Sequence, residues 1–456
     1  MPKLIQYYST NLKSEKVPFK DALLKGLAPD KGLYMPEMIP QLSEEKIESF
    51  SGKEYYEIAF DVMREFLFEQ ISDEELLLLV KDAYNYSVPL ENVYDRKYIM
   101  RLDQGPTASF KDFAGRMMGR WMQYYLQKQN QKLLILTATS GDTGSAVANA
   151  FYGLKQIQVV VLYPEKEVTE RQRKQMTTLG ENIQIISVDG KFDDCQALVK
   201  RAFTDSDLFG LNLSSANSIN IGRLIPQSVY YFYAYAKLKD KNKNEQIVFS
   251  VPSGNFGDMM GGVIAMQMGL PVKKFIISTN QNDEFPNYLS TGVYNKIEPS
   301  KNCLSSAMNV GHPSNLARLV ALYNGQMNEE GTISKQADLD KMRNDIFSVA
   351  VSDNETKEII KKVYDRHKVI LEPHGAVGWA GLTHYLSGNK LDIQKDQLCV
   401  SLETAHPAKF PEEIRCLLNI DPVLPDSLKG LENKPEYCIN MKNDYSEFKQ
   451  FLKNKY

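Results

Sequence analysis

A lysine amine is a nucleophile only when it is not protonated, and positive potential around it favours that form. Lys111 is placed to feel such potential. The run Tyr98-Ile99-Met100-Arg101-Leu102 reads as a short strand, and Asp103-Gln104-Gly105-Pro106-Thr107 as the turn that ends it. Ser109 is the expected N-cap of a helix carrying Phe113, Met117, Met118 and Trp121, which puts Lys111 in its first turn. The helix macrodipole opposes a cation there, so stability is a poor reason for a lysine at that position. The same stretch alone would also suit a solvated surface lysine, and two further stretches decide between the readings.

Thr139-Ser140-Gly141-Asp142-Thr143-Gly144 and Ser253-Gly254-Asn255-Phe256-Gly257-Asp258 each follow an apolar strand-like run and open a helical pattern. A glycine-rich turn into a helix offers unpaired backbone N–H groups and the positive end of the dipole to an anion. The first turn adds three hydroxyls suited to a carboxylate or phosphate, and the second lets bare backbone approach a phosphate. Neither is followed by Gly-Lys-Ser/Thr and neither is G-x-G-x-x-G, which sets aside the usual nucleotide loops. Two anion cradles and a lysine at a third strand end fit a phosphorylated aldehyde held as a Schiff base.

The elements that must position these residues follow from the pattern of the chain. Residues 1–95 read as a mixed lobe without catalytic chemistry, with a turn at 27–32, an extended Leu33-Tyr34-Met35-Pro36, and helices over 54–70 and 73–83, the latter announced by Ser72-Asp73-Glu74-Glu75. From about residue 97 strands and helices alternate. Strands are expected at 133–137, 159–163, 183–188, 247–251, 274–279, 368–371 and 398–402. Helices are expected at 145–154, 168–179, 193–204, within 217–237, and at 258–269, 315–323 and 335–350, with another after Pro373-His374-Gly375. This order predicts an α/β protein with parallel sheet covered by helices, and ligands at the carboxyl ends of its strands. Residues 425–456 read as a polar periphery.

At 456 residues the chain is long enough for two or three lobes. A net charge of −3 without a Lys/Arg block gives no reason to expect nucleic acid, and the apolar runs are too short for a bilayer. Cys195, Cys303, Cys399, Cys416 and Cys438 are scattered without metal-ligand spacing, so no metal is expected and the compartment reads as reducing, hence cytoplasmic.

Five stretches carry a resemblance. Gly105-Pro106-Thr107 with Phe110-Lys111-Asp112-Phe113, Ser140 to Gly144, Ser215 to Asn220 with Arg223, Val251 to Gly257, and Thr404-Ala405-His406-Pro407-Ala408-Lys409-Phe410 resemble, in order, the motifs of the threonine synthase family. The similarity runs from Tyr7-Tyr8-Ser9-Thr10 to about residue 420, and Phe192-Asp193-Asp194-Cys195-Gln196 resembles the long-chain branch. It implies a pyridoxal 5'-phosphate enzyme of fold type II: two parallel or mixed-sheet lobes with helices on both faces, plus an N-terminal α+β lobe. The lobes are expected at 1–95, 96–215 (with Lys111 and the 139–144 loop), 216–425 (with the phosphate loop) and 426–456.

The resemblance makes Lys111 the Schiff-base lysine and the catalytic residue. Gly254, Asn255, Phe256 and Gly257 would surround the cofactor phosphate, Thr404 would face the pyridine nitrogen, and Asp142 the cofactor's 3′ oxygen, where related enzymes often have Asn. Thr139, Ser140 and Thr143 would grip a substrate carboxylate; Asn217, Ser218 and Arg223 a substrate phosphate. This sequence departs from the family's pattern at Asp103-Gln104, Ala108-Ser109, Glu372 and Glu403. His374 is expected to scaffold its turn, His406 to be a satisfied interior histidine, and Tyr230 and Tyr231 to pack. The implied activity is that of a carbon–oxygen lyase: O-phospho-L-homoserine and water to L-threonine and phosphate, by a monomer or homodimer. The alternatives are a phospholyase releasing 2-oxobutyrate and a non-catalytic phosphoamino-acid binder.

Overall fold

Strand residues that alternate between two apolar faces need cover on both, and that requirement organises the larger sheet. The computed structural model describes residues 4–240, 243–388 and 395–456. Six strands lie in the order Ile346–Ala350, Val272–Thr279, Ile247–Pro252, Cys399–Glu403, Lys97–Arg101 and Leu90–Tyr94. All neighbours are parallel except the last, antiparallel pair. Val248 and Ile276 point to a core shared with Val377, Trp379 and Ala380 of the helix Pro373–Ser387. Phe249, Val251, Phe275 and Ile277 point the other way, against Tyr231 and the methionines of the helix Gly257–Gln267. Met259, Met260 and Met268 are buried in this core.

The smaller sheet is wholly parallel, in the order Ile439–Lys442, Ile183–Asp189, Ile157–Pro164, Leu133–Ala138 and Leu213–Ser214. Its outer face packs Leu134, Leu136, Val160 and Ile186 against the helices Phe192–Thr204 and Tyr445–Lys455. The N-terminal lobe holds an antiparallel three-stranded sheet and the helices Tyr55–Leu67 and Asp73–Ala83; Ser72 caps the latter, accepting from Glu75 N–H, as its sequence announces.

Several expectations need correction. The strand Lys97–Arg101 belongs to the larger sheet, not with the smaller-lobe strands of 96–215, because its partner is Cys399–Glu403. Leu90–Tyr94, assigned to the first lobe, is the edge of that same sheet. Residues 425–456 are not merely peripheral, since Ile439–Lys442 adds a parallel strand beside Ile183–Asp189 and Phe448 and Leu452 are buried. The expected helix over 335–350 divides into the helix Leu339–Asp345 and the strand Ile346–Ala350, whose ladder with Val272–Thr279 overrides helical propensity. No strand forms at 368–371. Lys368, at φ +60°, caps the helix Asp353–His367, and Val369 and Leu371 are buried by packing alone.

Candidate active site

The helix Lys111–Gln129 starts one residue after Phe110, and Ser109 does not cap it with its side chain. Asp112 organises the turn instead. Its carboxylate accepts from Thr107 N–H at 2.8 Å and Thr107 Oγ1 at 2.6 Å. This ties the preceding Gly-Pro-Thr turn to the helix, a task a carboxylate performs at a helix start in harmony with the dipole. Gly105 is needed beside it, because an added Cβ would come 2.4 Å from Asp112 Oδ2. Ala108, at φ +53°, brings the chain against the segment after the strand Cys399–Glu403. There Phe110 N–H donates to the Thr404 carbonyl at 2.9 Å, and His406 N–H donates to the Ala108 carbonyl at 3.0 Å. Lys111 and Thr404 are thereby placed on adjoining backbone.

The Lys111 side chain is 13% exposed, and its Nζ lies 3.8 Å from Asp142 Oδ2. Burial pushes its amine below the ordinary lysine value. Asp142 pulls it back up, while Lys409 and Arg223 push it down again. Asp142 opens the helix Asp142–Phe151 from a turn in which Gly141 sits at φ +132°, conformations that favour glycine. Thr139 Oγ1 accepts the N–H groups of Gly141 at 2.9 Å and Gly144 at 2.8 Å. Thr139 therefore braces the loop, and its hydroxyl proton stays available to donate. Ser140 and Thr143 are half-buried on the same turn.

The second cradle follows the strand Ile247–Pro252. Phe256 takes φ +61° just before the helix Gly257–Gln267, with its ring set edge-on to Phe285. An added Cβ on Gly254 would lie 2.9 Å from the Ala307 carbonyl, so only glycine leaves that backbone bare. Asn315 Nδ2 donates to the Asn255 carbonyl at 2.8 Å. The side-chain oxygen of Asn255 accepts weakly from Ser314. The N–H groups of the first helical turn have no intrahelical acceptor. Asp258 follows on that turn and accepts from the hydroxyls of Tyr230 and Tyr231, so these tyrosines do polar work as well as packing. Burial pushes Asp258 up to about 6, against the pull of the Lys111 charge.

Arg223 is 3% exposed. Its Nη1 donates to the Ala216 carbonyl at 2.7 Å, and its buried Nε has no partner among the described residues. Burial pushes its guanidinium down to about 10. A buried arginine with no carboxylate partner is costly unless an anion visits it. The Gln227 amide, oriented so that its nitrogen donates, joins the carbonyls of Gly257 (3.1 Å) and Arg223 (3.0 Å). Ser218 is beside this cradle, its Cβ 3.1 Å from where a Cβ on Gly257 would be, and the buried Asn217 Oδ1 has no partner among the described residues.

Residues to which the motifs assign no part in binding or catalysis complete the site. Arg318 is fully buried and spends its guanidinium on neutral groups. It donates to the Tyr34 carbonyl (3.1 and 3.0 Å), the Ser218 carbonyl (3.0 Å), the Ile219 carbonyl (2.7 Å) and Asn315 Oδ1 (2.6 Å). Burial pushes it down to about 9. It fastens the N-terminal lobe to the 217–220 loop and, through Asn315, to Asn255. Behind Thr404, Glu403 accepts from Glu372 N–H at 2.8 Å, and burial beside Glu372 pushes its carboxyl well up. His374 Nε2 accepts from Ala307 N–H at 3.1 Å, so the proton is on Nδ1, which donates to Glu372 at 2.5 Å. His374 thus scaffolds its turn as expected. His406 accepts from Ala408 N–H through Nδ1, and burial with two nearby cations pushes it down to about 4.

The donor set suits a phosphorylated aldehyde: a buried primary amine, a bare-backbone helix start for the phosphoryl group and a hydroxyl-bearing residue, Thr404, on the backbone beside the amine. Comparison with known proteins agrees. Family profiles match in sequence: "Threonine synthase N terminus" over residues 6–84, "Pyridoxal-phosphate dependent enzyme" over 88–403, and "Threonine synthase, C-terminal" over 375–452. The threonine synthase of Haemophilus influenzae is 39% identical over 446 residues, covering 98% of this chain and 99% of that one.

The chain belongs to the threonine synthase family.

The crystal structure of PLP-bound threonine synthase from Brucella melitensis superposes with a TM-score of 0.91 at 32% identity, covering 99% of each chain. That of threonine synthase from Escherichia coli does so with 0.87 at 35% identity, covering 99% of this chain and 100% of that one. The fold type expected from the motifs is therefore correct, and the protein is a pyridoxal-phosphate-dependent lyase. Among the described residues no helix is long and apolar enough to cross a membrane.

Proposed function

We propose that this chain converts O-phospho-L-homoserine and water to L-threonine and inorganic phosphate in the cytoplasm. The observation that carries the reading is a buried Lys111 amine beside Asp142, within a chain similar to a threonine synthase over 98% of its length. Lys111 is the amine that holds the cofactor as a Schiff base. Gly254, Asn255, Phe256 and Gly257 receive its phosphate, Thr404 its ring nitrogen and Asp142 the side of its 3′ oxygen. When bound, pyridoxal phosphate withdraws electrons from the carbons next to the substrate's amino group.

The rest is positioning and proton transfer by the protein. The loop braced by Thr139 offers Ser140, Thr143 and helix-start N–H groups to the substrate carboxylate. Arg223 presents a planar fork to the substrate phosphate, with Asn217 and Ser218 at its side. Lys111, once free, removes protons at Cα and then Cβ as phosphate leaves from Cγ; one proton goes to Cγ to make the methyl group, and after water adds at Cβ one returns to Cα. A neutral hydroxyl at Thr404 does not stabilise a charged ring nitrogen, which suits elimination over transamination.

The test is incubation of the purified holoenzyme with O-phospho-L-homoserine while phosphate, threonine and 2-oxobutyrate are scored together. Phosphate and threonine in equal amounts support the reading. Phosphate with 2-oxobutyrate makes the chain a phospholyase, and no release makes it a binder.

A further inference from the structure

Two ammonium groups converge on one carboxylate in this site, and the second of them has no role in the chemistry above. Lys409 lies in the short turn Pro407–Lys409 after Thr404 and is fully buried. Its Nζ is 2.5 Å from Asp142 Oδ1 and donates to the Thr107 carbonyl at 3.1 Å, from 302 residues away in the chain. Both acceptors are also held from elsewhere. Gln172 Nε2 donates to the same Asp142 oxygen at 3.0 Å, and Gln175 Nε2 donates to the Thr107 carbonyl at 3.1 Å. Lys111 takes the other oxygen at the longer distance of 3.8 Å.

We infer that Lys409 is a positioning residue for the reaction: it is the standing counter-ion of Asp142, so that Asp142 can border the Lys111 nitrogen without holding a proton on it. The reason is a count of charges in a buried space. With Lys409 and Asp142 paired, the three groups are neutral when the Lys111 nitrogen is unprotonated and carry +1 when it is protonated, and burial favours the neutral arrangement. Without Lys409 the preference reverses, because Asp142 and a protonated Lys111 would then make the neutral pair. Burial would raise the Asp142 carboxyl, but Lys409 first and Lys111 second outweigh it and hold it well below the usual carboxylate range. The pair also answers the charge conflict at the cofactor's 3′ oxygen: an aspartate already neutralised by Lys409 repels that oxygen less than a bare one. Arg223 and Glu372 also act on Lys111, His374 acts on Asp142, and Asp258 feels the Lys111 charge; all stay constant across the variants below.

The inference rests on Lys111 being the reactive amine. It is tested on holoenzyme by titrating the visible absorption band, with the pH profile of kcat/KM as a second reading of the same proton. Lys409→Met is expected to move the midpoint, and the acidic limb of the profile, upward by about one pH unit or more, a tenfold change in proton affinity. Lys409→Arg keeps the charge and should stay near wild type. Asp142→Asn should move both readings down. The double variant Lys409→Met/Asp142→Asn removes both charges and should return toward wild type. Unmoved readings in Lys409→Met overturn the inference. Should Lys409→Met not fold, a folded double variant with near-wild-type readings supports the pair, and a double that also fails to fold shows a packing role and overturns it. A visible band that survives in Lys111→Ala would instead defeat the underlying assignment of Lys111.

Discussion

An added Cβ on Gly375 would lie 1.6 Å from Oε2 of Glu403, so the Glu403 side chain leaves room at position 375 for glycine alone. Glu403 is fully buried, that oxygen has no partner among the described residues, and Arg101 Nη1 lies 3.6 Å from its other oxygen. Gly375→Ala should therefore destabilise the protein by ~1–3 kcal/mol through overpacking. Adding Glu403→Ala should recover part of that loss. Denaturant melts of both single variants and the double give the coupling, and strictly additive losses would refute the relationship.

Lys111→Ala should lower turnover by at least about 10³-fold, from the loss of its proton transfers alone. The visible band of the bound cofactor should vanish with it. An absorption spectrum and a phosphate-release assay on one preparation check both expectations.

Arg223→Ala should raise KM for the phosphorylated substrate by about 10- to 100-fold, the equivalent of ~1.5–3 kcal/mol for hydrogen bonds to a charged group. Cofactor content should change far less. Arg223→Lys keeps the charge but not the fork and should recover only part of the loss. Equal losses of substrate and cofactor affinity would place Arg223 elsewhere in the scheme.

Asp258 gives a pH dependence of defined sign. Burial pushes its carboxyl up to about 6, so between about pH 4 and 6 the native state binds more protons than the unfolded chain. Its contribution to stability therefore falls as pH rises through that window and stays low above it. Asp258→Asn can still accept from Tyr230 and Tyr231, and should be more stable than wild type at pH 8 by ~1–2 kcal/mol, the advantage shrinking toward pH 4.5. Thermal melts of the two proteins at both pH values check it. Wild-type melts alone would mix in Glu284, which burial pushes up to about 8.

What the sequence made legible was local. Lys111 at a helix start, the two glycine turns and the Ser72 cap each depend on residues within one or two turns of each other. What it hid depends on long-range pairing. Lys409 and Arg318 look like ordinary cations, because their partners, Asp142, Thr107, Tyr34 and Ser218, are remote in the chain. Ser109 was the better cap by residue type, yet Asp112 closed the turn from inside the helix. Residues 346–350 and 369–371 are both short apolar runs. Only the first found a neighbouring strand edge, and nothing in either run says which would.

The place of Cys399–Glu403 in the larger sheet has a consequence for synthesis of the chain. This strand separates Ile247–Pro252 from Lys97–Arg101, and Lys97 and Gln397 meet across 300 residues. At ribosomal speeds of about 5–20 residues per second, the part of the sheet that leads to Lys111 waits roughly 15–60 s for the strand that joins it to the part that leads to Gly254–Gly257. During that interval the nascent protein exposes two open sheet edges, and a chaperone that shields β-edges would act then, before the cofactor has anywhere to bind.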